Sequence, residues 1–309
     1  MDLPITFIIF KRPHTTEKVF QAIRQAKPKK LFVIADGSRN DREDEAEKCA
    51  ATRAIIDRVD WDCEVIKNYS DVNLGCAVRV SSGLDWVFSH VEKTIILEDD
   101  CIPHSSFFRF CEELLEKYQH DTRVASISAQ NIQPQHKRTN YSYYFSRYSH
   151  CWGWATWRRA WQHYDLYIKL WKQVKAENLL RDILIDPKAV SYWQRKLQNI
   201  YENPTGITWD YQWTFACWMQ GSLSITPNVN LVSNVGVGAD STHFDSQQDF
   251  SFINVPTQAM EFPLKHPPYI VRNVEADIFT QKTVYQAKII DVLKEEVKKR
   301  WNYAKLINL

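Results

Sequence analysis

The tetrapeptide Leu97-Glu98-Asp99-Asp100 is the densest concentration of reactive side chains in this sequence. It follows the apolar, β-branched run Thr94-Ile95-Ile96 and precedes Cys101-Ile102-Pro103. Three consecutive carboxylates at the end of a buried strand need partners, because an unpaired buried charge is costly. A hard divalent cation is a natural partner. Held by one or two carboxylates, it keeps positions open for phosphate oxygens, and oxygen-only coordination suits Mn²⁺ or Mg²⁺. The motif therefore points to a site that binds a nucleotide diphosphate through a metal. The competing use of these residues is a helix N-terminus, where acidic side chains complement the dipole, and a helix is expected to begin near His104.

Other residues could join that chemistry. Asp36 opens Asp36-Gly37-Ser38 after the apolar run Leu31-Phe-Val-Ile-Ala35. An ionised Asp only accepts hydrogen bonds, which suits the imide N–H of a uracil; a turn before Gly37 is the plainer use. Arg12 and Arg79 carry guanidinium forks that match phosphate geometry, or are solvated surface arginines. Asp210 lies in Thr208-Trp209-Asp210-Tyr211-Gln212-Trp213, where it could accept a proton from a hydroxyl nucleophile or cap a helix. Between Trp152 and Trp218 tryptophan is frequent, out of twelve in the chain. Trp152, Trp154 and Trp209 could stack on sugar faces or fill a core.

The elements that must position these residues alternate. Strands are expected at 4–10, 31–35, 63–66, 93–97 and 124–127. Helices are expected from Thr15 or Thr16, as cap, to Ala26, and over 41–58, 74–91 and 107–118. Such alternation implies a parallel sheet covered on both faces, with ligands at the carboxyl ends of its strands. Asp36 and Glu98-Asp99-Asp100 both fall at such ends. After Tyr141 the texture changes. Helices are expected at 158–174, 187–201, 210–219 and 280–305, with short strands at 223–226 and 230–232. Residues 234–252 are turn-rich and polar, as in a loop or lid.

The bulk numbers set limits. The chain has 309 residues, 44% of them hydrophobic, and a formal net charge of +2. That balance does not point to nucleic acid. Seven scattered cysteines, none in a Cys-x-x-Cys pair, suit a reduced cytoplasmic setting better than a disulfide framework. No signal peptide or membrane-spanning stretch is visible. The last helix places Lys294, Lys298, Lys299 and Arg300 near Trp301 and Tyr303. That could be a peripheral membrane contact, although Glu295 and Glu296 interrupt the basic face and a solvated helix is the simpler reading.

Taken in order, Lys11-Arg12-Pro13, Asp36-Gly37-Ser38, Asn73-Leu74-Gly75 with Arg79, and Leu97-Glu98-Asp99-Asp100 resemble the GT-A nucleotide-sugar glycosyltransferases. The family 2 type and the N-acetylglucosaminyltransferase I type are the nearest. The resemblance covers about residues 4–130 and extends loosely to Gly153, Arg158-Arg159 and Trp209-Asp210. It implies a Rossmann-like α/β fold with a mostly parallel central sheet flanked by helices. One domain would span 1–309: a nucleotide-sugar half (1–130), an acceptor half (131–275) and a C-terminal helix (276–309). It also implies transfer of a sugar, with inversion, from a nucleotide diphosphate sugar such as a UDP-sugar to a hydroxyl of a glycan or lipid-linked saccharide. In that scheme Asp100 holds the cation and Asp99 holds the ribose or a metal-bound water. Glu98, Asp36, Arg12 and Arg79 serve the nucleotide, His243 serves the metal or diphosphate, and Asp210 is the base. Trp152, Gly153, Trp154 and Trp209 face the acceptor. Two alternatives are a sugar nucleotidyltransferase on a similar sheet and a catalytically silent carbohydrate-binding protein.

Overall fold

The computed structural model describes residues 1–133, 135–206, 208–236 and 255–286. His243, residues 237–252 of the expected loop, and the terminal helix from residue 287 onward lie outside the described residues.

The first half alternates as its apolar runs require. β1 (Ile5–Ile9), α1 (Pro13–Ala26), β2 (Lys30–Ala35), α2 (Glu45–Ile56), β3 (Glu64–Tyr69), α3 (Cys76–His90) and β4 (Lys93–Glu98) follow in turn. Next come β5 (Cys101–Pro103), α4 (Ser106–Lys117) and β6 (Val124–Ser128). Every residue of β1 is buried, as are the last five of β2. These largely apolar strands, interrupted in β1 only by Thr6, are what parallel strands covered on both faces show. The second half contains β7 (Tyr143–Ser146), β8 (Trp154–Trp157), α5 (Arg158–Trp161), α6 (Trp171–Ala176), α7 (Leu180–Leu184) and α8 (Pro187–Glu202). It continues through α9 (Asp210–Met219), β9 (Leu223–Pro227), β10 (Val232–Asn234) and α10 (Val274–Thr280), which runs into a π-helical turn over 281–286.

Eight strands form one sheet in the order β3-β2-β1-β4-β8-β6-β9-β7. The first four are parallel, and β6 and β9 run the same way, while β8 and β7 run against them. This mixed, mostly parallel sheet flanked by helices is the α/β architecture expected of a GT-A-type fold. One face packs Phe20, Phe107, Phe110 and Leu114 from α1 and α4. The other packs Leu84 and Val87 of α3 with Trp154, Trp161, Trp209 and Trp213. A third cluster, centred on Trp171, Trp193 and Trp218, knits α6, α8 and α9 together.

Several local expectations need correction. The first helix starts at Pro13, which suits N1 because proline has no N–H to leave unpaired. Thr15 and Thr16 do not cap it; their hydroxyls donate back to the Arg12 carbonyl. The charged helix begins at Glu45 rather than Asp41, after Asp44 in a left-handed conformation. The single helix expected over 158–174 is two short ones. Asp165 accepts hydrogen bonds from the backbone of Tyr167 and Lys169, and Ile168 takes φ +39°. Such local side-chain bonds compete with continuing a helix. β5, β7, β8 and α7 were not foreseen. The strand expected at 230–232 sits two residues later, where Val232–Asn234 pairs antiparallel with Cys101–Pro103.

Candidate active site

The register of the central strands brings three chain segments to one crevice. Ile9 of β1 lies beside Ala35 of β2, and Ile8 lies beside Glu98 of β4. Each strand therefore delivers its next residues to the same edge: Phe10-Lys11-Arg12, Asp36-Gly37 and Asp99-Asp100. A cavity of about 380 Å³ opens there, lined by Arg12, Asp36, Arg79, Glu98, Asp99 and Asp100 together with Trp152 and Gly206.

Arg12 is the hub of the acidic motif. Its Nη2 donates to Asp99 Oδ1 at 2.5 Å and its Nη1 lies 2.9 Å from Asp100 Oδ2. Asp99 Oδ2 also accepts from the Phe10 backbone N–H at 3.1 Å. Burial pushes the Asp99 carboxyl up to about 6, against the pull of Arg12. Glu98 is raised well above the usual carboxylate range, first by burial and then by Asp100 and Asp99. No described residue donates a hydrogen bond to its carboxyl. Asp100 stands nearer the opening, with its side chain 12% exposed against 3% for Asp99. A short turn roofs it: Val235 N–H donates to the Asp100 carbonyl, and a Cβ on Gly236 would fall 2.0 Å from Asp100 Oδ2.

Asp36 is built into the scaffold. Oδ1 accepts from the N–H groups of Gly37 (3.0 Å) and Leu74 (2.9 Å), and Oδ2 from Gly75 N–H (3.0 Å) and Asn73 Nδ2 (3.2 Å). With about four acceptor positions on a carboxylate, little is left for a uracil. Asp36 therefore sets the shape of the 72–75 turn in place of the base contact expected of it. Arg79 is buried, with Nε on the Ala35 carbonyl and Nη2 on Asn68 Oδ1 at 2.7 Å, so it ties the ends of β2 and β3. It is a cation on the cavity wall with no carboxylate in contact among the described residues. Lys11 and Arg39 both hold Glu45 at the rim (2.8 and 2.6 Å).

The expected acceptor residues separate. Trp152 lines the cavity. Gly153 does not; it takes φ +60°, and a Cβ there would crowd Val232 at 3.2 Å and Ala129 at 3.3 Å. Trp154 and Trp209 are 0% and 4% exposed and stack on each other with ring centroids 5.5 Å apart. They are core residues and cannot offer a face to a sugar, which corrects that reading. Trp213 is buried in the same cluster.

Asp210 occupies the first position of α9, after Trp209 at the N-cap, whose side chain makes no capping hydrogen bond. Its charge is felt by Glu98 and by Cys76 on the cavity wall, raising both. On its other side Tyr211 bonds Tyr192 at 3.0 Å and lies under the Lys196 ammonium, 4.2 Å from the ring centroid.

Sequence reasoning gave no role to Phe10, Asn73, Asn234 and Gly236. The legible signal was Gly236 within Val235-Gly236-Val237-Gly238, in a chain with only eight glycines. Among the described residues, no three His, Cys, Asp or Glu side chains enclose a metal position. Asp100, at the opening, fits a cation that completes its shell with phosphate oxygens, as hard cations do at nucleotide sites. The cavity wall carries three guanidinium groups against four carboxyls, so a polyanionic diphosphate would enter more readily with a cation.

The sequence matches no protein-family model and no curated protein. Solved structures with a similar arrangement include mouse xyloside xylosyltransferase 1 in its apo form, at 10% identity and TM-score 0.35, covering 72% of this chain and 84% of that one. A 4-diphosphocytidyl-2C-methyl-D-erythritol synthase from Anaerococcus prevotii DSM 20548 matches at 9% identity and TM-score 0.32 over 54% of this chain and 76% of that one. A UDP-glucose pyrophosphorylase complexed with UDP-glucose matches at 11% identity and TM-score 0.27, over 52% and 79%. Likeness this distant carries no argument about the reaction, which rests on the residues of the cavity.

Proposed function

We propose that this chain is a glycosyltransferase that moves a sugar from a nucleotide diphosphate sugar, a UDP-sugar above all, to a hydroxyl of a glycan or lipid-linked saccharide. One observation carries this reading: Glu98, Asp99 and Asp100 meet Arg12 at the carboxyl ends of adjacent parallel strands, in a cavity of about 380 Å³. That is where ligands bind in open α/β sheets, and the volume falls within the range of small-molecule sites.

In this reading Arg12 and Arg79 face the diphosphate, and Asp99 anchors Arg12. Asp36 shapes the turn that receives the nucleoside, and Trp152 borders the sugar. Asp100 holds a Mn²⁺ or Mg²⁺ ion. When bound, the ion supplies Lewis-acid stabilisation of a departing diphosphate. Asp210 takes the proton of the acceptor hydroxyl, which is a poor nucleophile while it keeps it. Two observations support that role: it stands first in α9, one residue past the N-cap position that Trp209 fills, and its field reaches Glu98 and Cys76. Transfer with inversion fits a base acting directly on the acceptor.

The test is product analysis. Purified protein is incubated with Mn²⁺, a panel of UDP-sugars and a mixed saccharide acceptor set. Release of UDP with a glycosylated acceptor is expected. Release of pyrophosphate in a parallel incubation with a sugar phosphate and UTP would establish a nucleotidyltransferase instead. Saccharide binding without any UDP-sugar binding would establish a silent carbohydrate-binding protein.

A further inference from the structure

The Asp100 carboxylate is already occupied. Its Oδ1 accepts from the Cys101 thiol at 3.3 Å, and its Oδ2 is held by Arg12 Nη1 at 2.9 Å. A cation approaching Oδ2 must therefore meet a guanidinium, which is a like charge at the same oxygen. The two arms of Arg12 are not equivalent. Nη2 is bound to Asp99, which is nearly inaccessible and has a second anchor in the Phe10 N–H. Nη1 reaches the more open Asp100. The backbone of Arg12 is fixed, because its carbonyl accepts from Thr16 N–H and from the Thr15 and Thr16 hydroxyls. Movement is thus confined to the side chain. The guanidinium fork also suits a phosphate as well as a carboxylate.

We propose that Arg12 and the divalent cation are alternative partners of the Asp100 carboxylate, exchanged by a diphosphate that draws Arg12 away as the cation arrives. This rests on the metal-dependent reading given above. Without nucleotide, Arg12 satisfies the carboxylates, and a free cation finds its ligand taken. With a diphosphate present, the guanidinium has a new anionic partner and the cation gains both Asp100 and phosphate oxygens. Cation and diphosphate therefore bind cooperatively, and by linkage each raises the affinity of the other by one common factor. Gly236 is part of the device, since any Cβ there would overlap Asp100 Oδ2 and crowd Arg12 Nη1, at 2.0 and 2.7 Å.

The experiment is an electron paramagnetic resonance titration of free Mn²⁺ with the full chain, with and without saturating UDP. In the wild type, UDP should tighten Mn²⁺ binding by about tenfold or more. Arg12→Gln should bind Mn²⁺ alone about tenfold tighter than the wild type and lose most of the tightening by UDP. Arg12→Lys reaches only one carboxylate at a time and should fall between the two. It also decides the matter if Arg12→Gln does not fold. If UDP tightens Mn²⁺ binding but the Arg12 variants bind Mn²⁺ alone no better than the wild type, the exchange is wrong and the metal reading stands. If the wild type binds Mn²⁺ but UDP leaves the affinity unchanged, the exchange is likewise wrong. If the wild type binds no Mn²⁺ with or without UDP, the exchange and the metal reading fail together.

Discussion

At Asp210 the question is whether a carboxylate caps a helix or takes a proton. The position is N1 rather than N-cap, so Asp210→Asn should cost no more than the ~0.3–1 kcal/mol of a first-turn charge on the helix dipole. Its transfer rate should fall by about 10²–10⁴-fold, the usual contribution of a general base, while UDP affinity measured by calorimetry stays the same. Near-normal turnover would remove Asp210 from the reaction. Asp36 was expected to contact the base, and its bonds change what its loss should do. Asp36→Ala leaves the Leu74 and Gly75 N–H groups without their acceptor, while Gly37 N–H keeps the Val72 carbonyl and Asn73 keeps the Gly37 carbonyl. Unsatisfied groups of this kind cost about 1–3 kcal/mol, so urea unfolding should show destabilisation together with weaker UDP binding. Weaker UDP binding with unchanged stability would instead restore the direct base contact.

Elements bear on the site through what they bury. β8 sits beside β4, between it and β6, and its four residues are all buried. Trp154→Ala should therefore cost about 3–5 kcal/mol of stability, as large aromatic truncations in cores do. A change in acceptor KM without loss of stability would contradict its place in the core. At the rim, Lys11 after β1, Arg39 after β2 and Glu45 of α2 form a triad joining two of the segments that shape the cavity. Burial would raise the Glu45 carboxyl, but the hydrogen bonds from Arg39 and Lys11 outweigh it and hold it at about 2. Because the folded value lies below the ordinary carboxylate value, this stabilisation is present above about pH 4.3. It is lost as pH falls toward about 2. Glu45→Gln should flatten the acid dependence of unfolding in that window, read by denaturation at stepped pH; an unchanged acid slope would count against the triad.

For the whole molecule, a ligand that binds only the folded state raises its stability by mass action. UDP with Mn²⁺ at about a hundredfold excess over Kd should add about 2.7 kcal/mol, read as a rise in the thermal midpoint. Asp100→Ala should lose the Mn²⁺-dependent part of that rise and abolish transfer. A full Mn²⁺-dependent rise in the variant would show that the ion is held elsewhere. Among the described residues, no helix is long and apolar enough to cross a membrane.

The sequence by itself determined the first half of the fold and the address of the site. Short, largely apolar runs such as Ile5–Ile9 and Leu31–Ala35, alternating with helical segments, read as strands covered on both faces, and the residues that follow them emerge at one edge. The strand pattern alone brings Asp36, Glu98, Asp99 and Asp100 to that edge. The roles of these residues were decided by tertiary structure, because a side chain's work depends on partners distant in the chain. Asp36 is held by the turn 37 residues and more along, Arg12 spans two carboxylates 87 and 88 residues away, and Gly236 reaches Asp100 through β10 pairing with β5. The tryptophans show the same limit. Trp152 and Trp154 are two residues apart and equally aromatic, yet the φ +60° turn at Gly153 sends one to the cavity wall and the other into the core. Only the packing of β8 between β4 and β6 made that choice, since burial depends on what covers a ring, and the covering strands lie far from it in sequence.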